Sequence, residues 1–210
     1  LYHAFEDRPI ISFNQGTWFG DVGLTQVGCN FEKNNVITHF GFKYSGITDL
    51  EFRNDTPSDS PLSYFSSFGL SFDAGKAFIR GNQRYGISIS YVRFGIFTYE
   101  SKGLGFNFGY SRDFLNKTKL GIAIQNVGKM SELQTDDILL PQRILLGCSK
   151  EFKFNQIKNS VYTSIEKNSL ISNAKIYVGN HFNWTRFNLY SGFSYSTGVM
   201  ESSIGVGLLL

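Results

Sequence analysis

Hydrophobic and polar positions alternate with a period of two along most of this chain. Phe68, Leu70 and Phe72 are interleaved with Gly69, Ser71 and Asp73, and Leu104, Phe106, Phe108 and Tyr110 with Gly105, Asn107 and Gly109. Ile87, Ile89 and Tyr91 against Ser88 and Ser90 repeat the scheme, as do Ile204, Val206 and Leu208 against Ser203, Gly205 and Gly207. A strand places alternate residues on opposite faces, so each run has one large apolar face and one small or polar face. Twelve runs of this kind are predicted, at about 10–18, 22–31, 36–44, 64–73, 85–94, 103–112, 118–127, 141–152, 160–168, 174–183, 186–195 and 201–210. No helix is required, and the chain reads as all-β and antiparallel.

The second face carries Gly, Ser and Asn with few charges. A soluble sandwich would coat that face with charge, whereas a barrel in lipid points bulky groups outward and small or polar groups inward. Lipid also demands closure, because the unpaired edge of an open sheet costs several kcal/mol per amide in hydrocarbon. The connections point the same way. Short turns follow the second, sixth and tenth runs (Glu32 to Asn35, Asp113 to Lys117, Trp184 and Thr185), while longer polar loops, 45–63 and 128–140, follow the third and seventh. Outer-membrane barrels divide short periplasmic turns from longer external loops in this manner. Segment 74–84 departs from the pattern, being too long for a simple turn, and has room for a strand extension over Ala77 to Arg80.

Composition narrows the classes further. The 21 Phe, 11 Tyr and 2 Trp favour pleated surfaces over helices. Twenty basic against 17 acidic residues give a net charge of +3. With no Lys/Arg run longer than two, a nucleic-acid partner is not indicated. No stretch of 18 to 20 apolar residues exists for a membrane-spanning helix, while a mean hydropathy of −0.15 suits alternating barrel strands. Trp18, Phe19, Tyr44, Tyr64, Tyr99, Trp184 and Tyr195 stand near strand ends, where they form interfacial girdles or ordinary sheet packing. The chain starts at Leu1, which reads as processed or cut. Cys29 and Cys148, 119 positions apart in apolar runs, read as buried or lipid-facing thiols rather than a disulfide.

Candidate chemistry is sparse. His3, His39 and His181 share no motif spacing, and no nucleophile elbow, zinc motif or phosphate loop occurs. No enzymatic role and no cofactor are therefore expected. Asp49, Glu51, Asp55 and Asp59 crowd one loop without an EF-hand spacing and read as solvated acids offset by Arg53; Asp136 and Asp137 read likewise. Lys43, Arg93, Arg112 and Lys175, inside strands, are expected to pair with acids such as Asp73 or Glu166.

Segment 39–73 carries Tyr44, Gly46, Ile47, Asp49, Leu50, Glu51 and Arg53, then Pro57 and Pro61, then an aromatic strand opening at Phe65. Further on stand Leu120, Gly121, Asn126 and Gly128, then Leu140, Pro141 and Gly147, and finally the run ESSIGVGLLL. In this order the marks resemble the PorV/PorQ family of Bacteroidetes-type outer-membrane proteins, which belongs with the FadL-like barrels. The resemblance covers roughly residues 36 to 210 and implies a transmembrane β-barrel in the bacterial outer membrane. Twelve strands are visible, against the family's expected count of about 14. Residues 1–210 thus read as a single barrel domain lacking an N-terminal segment and, on the family count, a last hairpin. The resemblance also implies a part in type IX protein secretion, as a translocon component or cargo shuttle. Its partners would be other outer-membrane secretion proteins, secreted cargo and the lipid bilayer. Loops 45–63 and 128–140 would bind them, with Asp49, Leu50, Glu51, Phe52, Arg53, Pro57, Pro61 and Leu62 as contact candidates. The alternatives are a FadL-like channel for hydrophobic small molecules, working through a lumen pocket, and a soluble extracellular β-sandwich adhesin.

Overall fold

The computed structural model describes residues 9–18, 20–55 and 59–208. They form twelve antiparallel strands in one sheet whose spatial order is the chain order. The strands are β1 (Ile10–Trp18), β2 (Val22–Lys33), β3 (Val36–Phe52), β4 (Ser63–Arg80), β5 (Gln83–Ile96), β6 (Tyr99–Asp113), β7 (Thr118–Met130), β8 (Arg143–Phe154), β9 (Ile157–Asn168), β10 (Lys175–Trp184), β11 (Phe187–Ser196) and β12 (Val199–Leu208). The all-β, antiparallel expectation holds. No helix of the described residues is long and apolar enough to cross a membrane.

Turns of two residues join β2 to β3, β4 to β5, β8 to β9 and β10 to β11. Each opens with a residue of positive φ (Asn34 51°, Gly81 58°, Asn155 54°, Thr185 51°), the backbone geometry that matches the right-handed twist of hairpin strands. Two expected loops are shorter than the sequence suggested. β3 runs on to Phe52 and β4 begins at Ser63, so the connection is 53–62 rather than 45–63. A bulge between Ile47 and Leu50, with Asp49 at φ 59°, breaks the alternation there and hides the strand. Likewise β7 continues to Met130, and the loop expected over 128–140 spans 131–142. Segment 74–84 resolves into the end of β4, a two-residue turn and the start of β5, with Ala77 to Arg80 in strand.

Two compact units divide the sheet. The first comprises the described part of Leu1–Phe78 with Ile87–Asn107 and Val127–Leu140; the second comprises Ile79–Gly86, Phe108–Asn126 and Pro141–Leu210. Burial in both runs opposite to hydrophobicity. In the first, Gly28, Ser90, Gly95, Ser101 and Gly105 are buried, as is Leu140, the one large apolar side chain so placed among the described residues. In the second the buried residues are Glu166, Asn188 and Ser194. Large apolar groups are exposed instead: Leu104 47%, Phe106 41% and Phe108 46% stand on the face opposite Gly105 and Asn107. Cys29 and Cys148, both free thiols, lie opposite Phe40 and Leu120 respectively on the same kind of apolar face.

Polar groups knit the other face together. In the first unit Asn107 donates to the Ser88 and Ser90 hydroxyls at 3.0 and 3.2 Å, Ser90 donates to Asp73 at 2.5 Å, and Lys43 stands 3.8 Å from the same carboxylate. Glycines let the backbones approach where β6 meets β7, since a Cβ on Gly128 would strike the Leu104 carbonyl oxygen and one on Gly103 the Lys129 carbonyl. Gly128→Ala is expected to cost about 1–3 kcal/mol through overpacking. Gly16→Ala, where a Cβ meets nothing within 4 Å, should stay within about 0.5 kcal/mol of the parent. Urea titrations followed by tryptophan fluorescence measure both.

Candidate functional site

The hairpin tip where β3 passes to β4 extends the ladder beyond the bulge, with Leu50 opposite Phe65, Glu51 opposite Tyr64 and Phe52 opposite Ser63. The Leu62 amide donates to the Phe52 carbonyl at 2.9 Å and closes the loop. Phe52 stacks on Phe97 of the β5–β6 turn, with centroids 5.6 Å apart and planes at 13°, and Phe65 meets Phe97 edge-on at 5.8 Å. Phe97 takes φ 56°, and its amide donates to the Ser66 carbonyl at 3.2 Å, which pins the second hairpin to the first. Phe52, Leu62, Tyr64 and Phe97 are all exposed.

Charge surrounds this aromatic group. Arg53 Nε donates to Glu51 at 2.7 Å, and that bond, with the carboxylate's charge, raises the guanidinium above its ordinary pKa. Arg93 makes a forked pair with Glu100, its Nη2 donating at 2.6 and 2.7 Å, and lies 5.6 Å from the Phe68 ring centroid. The loop after β7 is tied to β6. Ser101 donates to the Ser131 carbonyl at 2.5 Å, the Lys102 amide to the Ser131 hydroxyl at 3.0 Å, and the Ser131 amide to the Lys102 carbonyl at 2.8 Å. Leu133 and Asp136 form an isolated bridge within that loop.

Of the sequence candidates, Leu50, Glu51 and Phe52 therefore lie in strand β3, and Arg53, Pro61 and Leu62 in the short loop. Asp49 is held at the bulge, accepting from Thr48 at 3.0 Å, and Pro57 lies outside the described residues. Phe97 belongs to the same patch and was not singled out, while Arg93, expected to pair with an acid, pairs with Glu100. Phe97 reaches it from the neighbouring β5–β6 hairpin, and nothing local in the sequence ties it to Phe52.

A second polar constellation occupies the polar face of the second unit. Arg143 grips Glu166 through two bonds of 2.7 and 2.8 Å, and the Tyr177 hydroxyl donates to the same carboxylate at 2.9 Å. Lys175 pairs with Glu201 at 2.6 Å rather than with Glu166, and Ser194 donates to Glu201 at 2.7 Å. Beside them is a groove of about 1010 Å³ lined by Ser164, Tyr177, Ser194, Glu201 and Ser203 around Gly179 and Gly192. His181 stacks on Tyr190 at 4.4 Å and bonds the Asn188 side-chain oxygen at 3.0 Å; in the first unit His39 bonds the Asn30 side-chain oxygen at 2.8 Å. Each of these two histidines is thus held by an asparagine side chain. Among the described residues no three His, Cys, Asp or Glu side chains gather as a metal site would require.

No family model matches the chain, and no curated protein matches it significantly.

Glu166 is 8% exposed, so its partner matters more than a surface pair would. Arg143→Met leaves a desolvated carboxylate without its strongest donor and should cost about 1–3 kcal/mol in urea unfolding. Adding Glu166→Gln should recover part of that loss, giving a non-additive cycle. Additive losses would show that the pair contributes nothing specific.

Proposed function

We propose that this chain is an outer-membrane β-barrel that works by binding protein partners at its exposed hairpin tips and contributes no covalent chemistry. The observation that carries the reading is the inverted burial, with Gly105 buried while Leu104 and Phe106 beside it are exposed. In water such a face would be an aggregation hazard on every strand; in lipid it is the face the solvent demands. A sheet in lipid must then close, because hydrocarbon offers no partner for an edge amide.

Strand lengths support the tips as the working part. Lipid requires about 9–11 residues per tilted strand. β10, β11 and β12 have 10 each, whereas β3 has 17 and β4 has 18. The surplus carries Phe52 and the Glu51–Arg53 pair beyond the apolar band. Aromatic and arginine side chains backed by a fixed scaffold suit a protein interface. Together with the PorV/PorQ resemblance this favours a role in type IX secretion, with segments 53–62 and 131–142 meeting the translocon or its cargo. A FadL-like channel for hydrophobic small molecules is the second reading, its ligand lying in the groove of the second unit, where Val178, Phe193 and Ile204 stand among the serines, Tyr177 and Glu201.

Two measurements test the reading. Phe108→Arg should lower stability in phospholipid vesicles by about 2–4 kcal/mol if the side chain lies near the bilayer midplane. A fully soluble native protein would overturn membrane residence. Replacing 54–60 by a short Gly/Ser linker, which keeps the Phe52–Leu62 closure, should abolish partner pull-down and secretion while heat-resistant folding persists. Unchanged secretion, or a gain in small-molecule permeability alone, would move the function to the lumen.

A further inference from the structure

The apolar face of the first unit is not uniformly filled. On that face β4 carries the small Ala74 in the row Phe72, Ala74, Lys76 and Phe78, and the missing volume opens a groove of about 450 Å³. Its walls come from three flanking strands: Thr38 and Phe40 of β3, Ile87 and Ile89 of β5, and Phe106 of β6. Gly75, on the opposite face, lets β4 and β5 approach, since a Cβ would lie 2.7 Å from Ser88 Cβ and 2.9 Å from the Ile87 carbonyl oxygen. One charged group enters this lining. Lys76 faces Thr38 across the ladder, is exposed, and has no carboxylate partner among the described residues.

A lysine on an otherwise apolar, lipid-facing surface is costly unless an anion meets it. The groove's width beside it suits a hydrocarbon chain, because Phe and Ile walls offer dispersion contacts and no hydrogen bonds. Chain and anion joined in one molecule describe an anionic phospholipid. We propose that the groove over Ala74 binds one anionic glycerophospholipid, an acyl chain lying against Phe40, Phe78, Ile87 and Phe106 and the phosphate meeting Lys76. The proposal rests on the bilayer reading above. It adds that one annular position is selective for head-group charge.

The test uses the full chain refolded into vesicles of phosphatidylcholine containing one fifth phosphatidylglycerol, then extracted gently for native mass spectrometry of retained lipid. The parent should retain one phosphatidylglycerol in preference to phosphatidylcholine. Lys76→Gln should reduce that preference about fivefold, which is the roughly 1 kcal/mol expected per basic side chain near anionic lipid. Lys76→Arg should restore it, and Ala74→Phe, which fills the groove, should lose the retained lipid of either kind. Protease protection and heat-modifiable migration report insertion separately. Failure of the parent to insert overturns the bilayer reading and the site with it. Insertion without head-group preference, or with a preference that Lys76→Gln leaves unchanged, overturns the lipid site alone.

Discussion

Everything in this fold depends on where its large apolar side chains can go. A sheet has two faces, and here the face that would ordinarily be a core holds Ser90, Asn107, Glu166 and Asn188, too small or too polar to bury much hydrocarbon. The aromatic and branched residues stand on the other face with no second layer of protein against them. The usual source of stability, apolar area removed from water within the chain, is therefore missing. What replaces it is the hydrogen-bonded ladder itself, together with whatever medium covers the apolar face.

That constraint explains the character of the polar face. Without hydrophobic burial to enforce a unique arrangement, specificity falls to directed contacts such as the Asn107–Ser90–Asp73 relay and the Arg143–Glu166–Tyr177 triad. Low dielectric strengthens each such bond and also makes an orphaned member expensive, so these networks fix register where packing does not. Small residues assist by letting β6 and β7 approach at Gly103 and Gly128. The same economy leaves Ala74 as a dent in the opposite face.

Much of the architecture is legible in the chain because period-two alternation is a local signal. Each of the twelve expected runs overlaps one observed strand, and the free cysteines sit in strands as read. Legibility ends where a strand stops alternating. Residues 45–52 contain Gly46, Ser45 and the bulged Asp49, so the pattern loses phase and imitates a loop while the ladder continues. Ala74–Gly75–Lys76 reads as a break for a similar reason, although neighbouring strands carry β4 through it. At the candidate site, Phe52 and the Glu51–Arg53 pair are visible because they adjoin in sequence. Phe97 is not, since only the meeting of two hairpins brings it onto Phe52.

The chain-order meander bears on how the molecule is assembled. Each strand's partners are its immediate neighbours in sequence, and several join through just two residues, so the entropy of closing each hairpin is near its minimum. Topologies of such low contact order form quickly for their size, because no distant segments must find each other before pairing begins. A chain delivered end first can add one strand at a time to a growing edge, each newcomer templated by the one before it. Positive-φ residues such as Asn34, Gly81 and Asn155 then act as pacing marks, fixing register at every reversal before the next strand arrives.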